Sequence, residues 1–260
     1  MKQTVFIALA TLLLVYAGLC AALYFFQRSL IYQPQPRAVT APESTLHLPV
    51  DGAELVVTVR PHDGPKAVLY FGGNAEDVSQ NLASFSRDFP GHALYLLHYR
   101  GYGGSTGSAT EQANHSDAAA LFKRVHAQHP QVVVFGRSLG TGVAVRLASQ
   151  APASKLILVT PYDSIAGIAA SAYPFAPVRW LLLDRYDSGA LAPGIRIPTT
   201  IIAAEHDEVI PRASTDQLRA RFGPGIATMT VIPGAGHNDL DRKSQYRQTL
   251  QTALGIHPTP

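Results

Sequence analysis

The sequence predicts an α/β domain built on a mostly parallel sheet of eight strands with helices on both faces. Short apolar runs alternate with segments of helical length, and most of the later runs are continuously apolar, as in strands covered on both sides. The predicted strands are residues 46–50, 54–60, 67–71, 93–99, 132–135, 155–160, 199–205 and 227–232. The predicted helices are residues 78–87, 111–129, 139–150, 213–222 and 240–254.

An apolar segment precedes this domain. Residues Thr4 to Phe26 carry no charge, and as a helix they would be about 35 Å long, enough to cross a hydrocarbon core of about 30 Å. A cleaved signal peptide usually has a shorter apolar region, so we expect a single-pass membrane anchor, with cleavage after Ala22 as the alternative. The nearby basic residues, Lys2 before the segment and Arg28 after it, determine orientation weakly; we expect the folded domain outside the cytoplasm.

The domain organisation follows from composition. Residues 1–28 are the predicted transmembrane anchor, and the proline-rich residues 29–43 are a predicted extended linker. Residues 44–257 form the predicted folded domain, which includes a short apolar cap at residues 164–188. Pro174 and Pro177 interrupt the cap, which is too short for a closed lid and predicts an open, apolar mouth. We expect Trp180 and its leucine neighbours to contact a substrate or the membrane surface. Packing of these side chains against the sheet is the alternative.

Charge and cysteine content exclude several functions. The formal net charge is +3, and no run of basic residues is longer than two, so the electrostatic pattern of a nucleic-acid-binding protein is missing. The single cysteine, Cys20, excludes an intramolecular disulfide and a cysteine-based metal cluster.

Ser138 lies in the segment "FGRSLGTG", between the fifth predicted strand and a predicted helix. This strand–turn–helix setting is the one that a G-x-S-x-G nucleophile elbow requires. Gly136 and Gly140 suit a sharp turn in which backbone and helix approach each other. The alternative is a simple glycine-rich turn or a nucleotide loop, but the spacing fits neither a dinucleotide fingerprint nor a Walker loop.

A serine nucleophile needs a base, and the base needs an acid that orients it. In this architecture the chain order is serine, acid, histidine, with the last two on loops after late strands. Asp207 follows the seventh predicted strand and His237 follows the eighth. Asp163, after the sixth strand, and the glutamates beside Asp207 are alternatives for the acid.

An oxyanion formed by acyl attack needs preorganised donors. The N–H of Leu139, at the start of the helix, is one candidate. The N–H of Asn74, on the loop after the third strand, is the other, with Gly72 and Gly73 allowing the backbone to approach the substrate. The alternative for this loop is a turn that only closes the strand–helix connection.

The chain resembles the membrane-anchored α/β-hydrolases of the BEM46 type, close to the serine aminopeptidase-like and ABHD13- or ABHD17-like hydrolases. The resemblance rests on the ordered blocks "LIYQP", "FGGNA", "YRGYGGSTGS", "GRSLGTGVAV", "YPFAPVRWLLLDRYDS", "EHDEVIP" and "GAGHND". It implies the α/β-hydrolase fold, Ser138, Asp207 and His237 as the catalytic triad, and Asn74 and Leu139 as oxyanion donors. The family usually has histidine where this chain has Gly72, so the oxyanion loop is expected to be braced differently.

These observations predict a serine hydrolase that cleaves carboxylic esters or thioesters through an acyl-enzyme, with a small-molecule or lipid-like acyl substrate. No metal or cofactor is implied. A peptidase of the same fold and a catalytically silent binding or scaffold protein are the alternatives. The sequence does not distinguish ester from thioester or define the acyl chain.

Overall fold

An eight-stranded sheet forms the centre of the structure, a computed structural model that describes residues 1–256. The strand order is β1-β2-β4-β3-β5-β6-β7-β8. The pairs β1–β2 and β2–β4 are antiparallel, and the other pairs are parallel. The predicted mostly parallel sheet is therefore confirmed. The strands are β1 (Thr45–Val50), β2 (Ala53–Arg60), β3 (Lys66–Phe71), β4 (Ala93–Leu97), β5 (Gln131–Arg137), β6 (Lys155–Val159), β7 (Thr199–Ala204) and β8 (Ala227–Ile232).

Helices cover both faces of the sheet. Helices α3, α4 and α8 pack on one face, and α2 and α9 pack on the other. Consecutive residues of β3 alternate between the two apolar clusters, with Leu69 in the first and Tyr70 in the second. The helices are α1 (Lys2–Ile31), α2 (Leu82–Asp88), α3 (Glu111–His126), α4 (Leu139–Ala148), α5 (Ile165–Ala172), α6 (Val178–Leu181), α7 (Ser188–Leu191), α8 (Arg212–Arg221) and α9 (Ser244–Ala253).

The helix predicted over residues 78–87 differs from the observed structure. Residues Val78–Asn81 form a 3₁₀ turn, and the α-helix begins only at Leu82. The carboxylate of Asp77 accepts hydrogen bonds from the N–H and the hydroxyl of Ser79, at 3.0 and 2.7 Å. This local side-chain bonding favours a tight turn over the first turn of an α-helix.

Helix α1 is mostly exposed, and by its length and apolar composition it could span a membrane. It continues to Ile31, beyond the predicted anchor, because its last turns dock on the cap. The amide of Gln27 donates to the carbonyl of Leu181 at 3.1 Å and accepts from the N–H of Leu183 at 2.7 Å. Arg28 pairs with Asp184 at 3.1 Å.

The predicted linker, residues 29–43, begins within α1 and ends within a 3₁₀ turn at Pro42–Ser44; residues 32–41 between them form no helix or strand and are held against the domain. The N–H of Gln33 donates to the carbonyl of Asn74 at 3.1 Å, and the N–H of Ala38 donates to Asp77 at 2.7 Å. The predicted domain start at residue 44 falls beside β1, and the predicted end at residue 257 lies outside the described residues.

The close contact of α4 with the sheet depends on glycine. A Cβ on Gly140 would collide with the backbone of Phe71 and Gly72, and one on Gly136 would collide with the backbone of Gly140 and Thr141. These glycines let α4 begin directly against the ends of β3 and β5. A side chain at either position would push the helix away from the two strands.

Replacing Gly140 with alanine should destabilise the domain. The backbone at the end of β3 would have to shift, which we expect to lower the free energy of unfolding by about 3 kcal/mol. Gly194→Ala is the matched control: a Cβ there meets nothing within 4 Å, so its effect should stay within about 1 kcal/mol. Chemical denaturation of both variants in detergent checks this, and equal destabilisation by the two would contradict it.

Candidate active site

Ser138 occupies a strained turn between β5 and α4. Its backbone has φ 49° and ψ −121°, a conformation that L-residues rarely adopt. The turn is held by the Ser138 N–H, which donates to the carbonyl of Val159 at 2.9 Å. The serine is only 8% exposed, and this geometry is that of a nucleophile elbow.

Two side chains from later strands meet Ser138. Nε2 of His237 lies 3.0 Å from Oγ of Ser138. On the other side of the ring, Nδ1 lies 2.9 and 3.0 Å from the two carboxylate oxygens of Asp207. Asp207 follows β7 and His237 follows β8, so the parallel strands bring the three predicted residues together at one edge of the sheet.

Asp207 is fixed as an ionised acceptor. Its Oδ1 accepts backbone N–H groups from Val209 and Ile210, at 2.9 and 2.7 Å. Burial raises the pKa of this carboxyl, but the hydrogen bonds from His237 and from these N–H groups outweigh burial and hold the pKa below its ordinary value. At neutral pH Asp207 is therefore an ionised carboxylate in contact with Nδ1 of His237.

Asn74 and Leu139 line the same cavity as Ser138. Within residues 1–256, the N–H groups of Asn74 and Leu139 donate to no other protein group. The N–H of Gly73 is already used, because it donates to Glu76 at 2.7 Å. A Cβ on Gly73 would lie 3.6 Å from that of Ser138, an ordinary van der Waals contact, so Gly73 lies directly beside the serine. The geometry thus leaves Asn74 and Leu139 available for an oxyanion.

The loop that carries Asn74 is braced by tyrosines rather than by a histidine at position 72. The hydroxyl of Tyr102 donates to the carbonyl of Asn74 at 2.6 Å and accepts the N–H of Gln33 at 2.7 Å. The hydroxyl of Tyr99 donates to the carbonyl of Gly72 at 2.9 Å. Tyr102 does not line the apolar cavity at Ser138, so its part here is to hold the loop.

Glu76 and Arg137 form a support that sequence reasoning missed. Glu76 accepts from Arg137 at 3.0 Å and from the Tyr70 hydroxyl at 2.7 Å, besides the N–H of Gly73. Arg137 also donates to the backbone carbonyl of His237 at 3.2 Å. Burial lowers the pKa of Arg137, but the charge of Glu76 outweighs it and raises this pKa above its ordinary value. The ion pair therefore connects the loop after β3 to the histidine loop.

Asp163, the alternative acid, lies elsewhere. Its N–H donates to the hydroxyl of Ser214 at 2.9 Å, and its carbonyl accepts the N–H of Gly189. Burial raises the pKa of its carboxyl, and no hydrogen bond joins it to His237 in the described part of the chain. Glu208 is closer, but it accepts the backbone N–H of His237 at 3.1 Å rather than the ring.

Two cavities of opposite character meet at Ser138. An apolar cavity of about 270 Å³ extends from the serine between the cap and the last turns of α1. A larger cavity of about 670 Å³ lies on the side of His237 and is lined by charged residues, among them Arg87, Asp88 and Arg247. Within residues 1–256, no group of three or more His, Cys, Asp or Glu side chains is arranged to hold a metal ion.

Comparison with known proteins identifies the family of the chain. The family described as alpha/beta hydrolase fold matches residues 66–189. An uncharacterized protein of Mycobacterium tuberculosis is 34% identical over 249 residues, covering 88% of this chain and 87% of the relative. The chain belongs to the α/β-hydrolase family. The predicted α/β-hydrolase fold is thus confirmed, and family membership supports a hydrolase in general.

Two further α/β-hydrolases are more distant. The alpha/beta hydrolase domain-containing protein aho-3 of Caenorhabditis elegans is 29% identical, with 73% of this chain and 57% of that protein covered. The solved structure of a Pyrococcus furiosus esterase superimposes with a TM-score of 0.66 at 16% identity, covering 86% of this chain and 97% of the esterase. At that identity the esterase supports the fold alone. The BEM46 subtype stays a prediction.

The Glu76–Arg137 pair should stabilise the site measurably. Arg137→Ala leaves a mostly buried carboxylate without its counter-charge, and we expect the free energy of unfolding to fall by about 2 kcal/mol. Arg212→Ala is the control, because the Arg212–Asp216 pair is exposed and such pairs contribute about 0.5 kcal/mol or less. A double-mutant cycle should give a coupling energy above about 1 kcal/mol for Glu76–Arg137. Equal coupling energies for Glu76–Arg137 and Arg212–Asp216 would contradict a stabilising role for the Glu76–Arg137 pair.

Proposed function

We propose that this chain is a serine hydrolase that cleaves carboxylic ester or thioester bonds through an acyl-enzyme. One observation carries the proposal: Ser138, His237 and Asp207 form a continuous series of hydrogen bonds of 2.9 to 3.0 Å beside two free backbone N–H groups. Nucleophile, base, orienting acid and oxyanion donors are the parts that acyl transfer requires.

The chemistry assigns a role to each group. Neutral His237 takes the hydroxyl proton as Oγ of Ser138 attacks the acyl carbon, and Asp207 holds the ring and stabilises its cation. The N–H groups of Asn74 and Leu139 stabilise the negative oxygen of the tetrahedral intermediate. His237 then gives the proton to the leaving oxygen or sulfur. Water activated by His237 cleaves the acyl-enzyme and releases the acid.

The two cavities support a substrate with an apolar acyl chain on one side of the reacting bond and a polar group on the other. The apolar cavity beside Ser138 suits a hydrocarbon acyl chain, and the charged cavity on the side of His237 suits a polar leaving group. A peptidase would need to recognise peptide backbone, and no observation favours this. A catalytically silent binding protein is the other alternative, and the variants below distinguish it.

We further propose that α1 is a single-pass membrane anchor and that the chain is of the membrane-anchored BEM46 type. The length and apolar composition of α1 support an anchor. The folded domain is proposed to lie outside the cytoplasm, on the basis of the basic residues that flank the helix.

Ser138→Ala should abolish turnover. Without the hydroxyl no acyl-enzyme forms, and we expect kcat on a 4-nitrophenyl ester to fall by a factor on the order of 10⁶. Ser149→Ala, at the other end of α4, is the control and should retain activity. Stopped assays on purified full-length protein check this, together with a denaturation midpoint that shows the variant is folded. Undiminished turnover by Ser138→Ala would disprove the proposed nucleophile.

Asp207→Asn tests the choice of acid. An amide at this position would favour the wrong imidazole tautomer, and we expect kcat to fall by about 10⁴-fold. Asp163→Asn removes the same charge from the alternative acid and should change kcat little, because no hydrogen bond joins Asp163 to His237 within residues 1–256. The reverse pattern, with loss only in the Asp163 variant, would overturn the triad assignment.

A further inference from the structure

One wall of the apolar cavity comes from the proposed anchor. Leu23, Gln27, Leu30 and Ile31 of α1 line it, spaced so that they share one face of the helix. The facing wall is on α5, where the lining residues are Ile165, Ile168, Ala169 and Ala172. Helix α1, the proposed anchor, therefore forms part of the cavity beside Ser138.

The cap lies beside the uncharged part of α1. The hydroxyl of Tyr16 donates to the carbonyl of Phe175 at 3.0 Å. Tyr16 precedes Phe26, the last residue of the uncharged segment, by ten residues, or about 15 Å along the helix. A bilayer that surrounds α1 as far as Phe26 must therefore also contain the part of the cap near Phe175. The hydrogen bond satisfies both polar groups, as a hydrocarbon environment requires.

The outer surface of the cap is suited to lipid. Trp180 is 86% exposed, and the side chains of Phe175 and Leu183 are also exposed. Large exposed apolar side chains grouped on one element mark an interaction surface rather than a water-facing one. Trp180 precedes Leu181, whose carbonyl accepts from the amide of Gln27, and Leu183 donates its own N–H to that amide. Gln27 lies just past the uncharged segment, at the level of the membrane interface that tryptophan favours.

We propose that the cap and the second half of α1 form a membrane-inserted entrance through which the acyl chain of a bilayer lipid ester enters the cavity beside Ser138. This inference rests on the proposed hydrolase function and on the proposed anchor. The cavity volume of about 270 Å³ exceeds that of an apolar cavity of about 150 Å³ that holds benzene, so the cavity has room for a hydrocarbon acyl group. Water supplies the hydroxyl of the released acid and the hydrogen of the released lipid alcohol.

A lipid ester fits better than an acylated protein. The polar cavity on the other side of Ser138 carries charges of both signs, with Asp88 paired to Arg87 and Arg247. A zwitterionic or otherwise polar head group finds partners there while its acyl chain remains in the leaflet. The ester of a bilayer lipid also lies at the interface, the level at which Gln27 and the cap meet.

Trp180 is the only tryptophan of the sequence, so the tryptophan fluorescence of the protein reports the environment of the cap. This signal shows whether the cap is inserted in the membrane and does not depend on catalytic turnover. Full-length Ser138→Ala protein would be reconstituted into phosphatidylcholine vesicles with bromine on the acyl chains. We expect Trp180 to lose most of its fluorescence relative to unbrominated vesicles and to resist quenching by aqueous iodide. Quenching of Trp180 fluorescence by iodide, with no effect of bromine, would disprove the membrane-inserted entrance, whether or not the protein is an active hydrolase.

Chain-length selectivity tests the cavity. Ala169→Phe should fill it and lower the ratio of hexadecanoyl to butyryl ester hydrolysis by about tenfold, the equivalent of about 1.4 kcal/mol. Ala170→Phe is the control: Ala170 is the neighbour on α5 that does not line the cavity, so the ratio should stay unchanged. An equal change in both variants, or none in either, would count against the cavity as the acyl site.

The substrate class is tested in the same vesicles, with wild-type protein, by offering a phospholipid ester and an S-acylated peptide of equal chain length. Release of fatty acid from the lipid supports the proposal. Hydrolysis of the peptide thioester alone would overturn the lipid substrate and leave the hydrolase assignment intact. Hydrolysis of neither, with no turnover of 4-nitrophenyl butyrate, would instead overturn the proposed function.

Discussion

The strained backbone of Ser138 is the constraint on which the rest of the site depends. A φ of 49° turns the chain sharply enough to present Oγ at the edge of the sheet, 3.0 Å from His237. Such a conformation persists only where the surroundings hold it. Here α4 begins against β3 and β5 with glycines at the contact, and β6 accepts the Ser138 N–H through Val159.

Sequence reasoning predicted the parts of the structure that local pattern determines. Apolar runs located all eight strands, and most of the later runs are continuous because parallel strands covered on both faces have no alternation. The G-x-S-x-G turn located Ser138, and the ends of β7 and β8 located Asp207 and His237. Those residues could be predicted because chain order and strand order are coupled in a parallel sheet, so that loops after successive strands meet at one edge.

Long-range polar contacts could not be predicted in this way. Glu76 and Arg137 are 61 positions apart, and in the sequence each is a charged residue near a glycine-rich turn, with nothing to indicate that they pair. Gln27 and Leu181 are 154 positions apart, and nothing local indicates that the end of an apolar helix docks on a cap. The 3₁₀ turn at residues 78–81 likewise depends on the side chain of Asp77, which a periodicity argument does not consider. These contacts dock α1 on the cap and join the loop after β3 to the loop of His237. The position of α1 therefore affects the shape of the apolar cavity beside Ser138.

The central claim is that His237 activates Ser138, and covalent labelling followed by peptide mapping tests it most directly. Native full-length protein would be treated with a fluorophosphonate, digested and analysed by mass spectrometry, beside His237→Ala and heat-denatured protein. The account predicts one phosphonyl group per chain, attached to Ser138 in the native protein and strongly reduced in the other two samples. Modification of a different residue, or equal modification of Ser138 in all three samples, would contradict it.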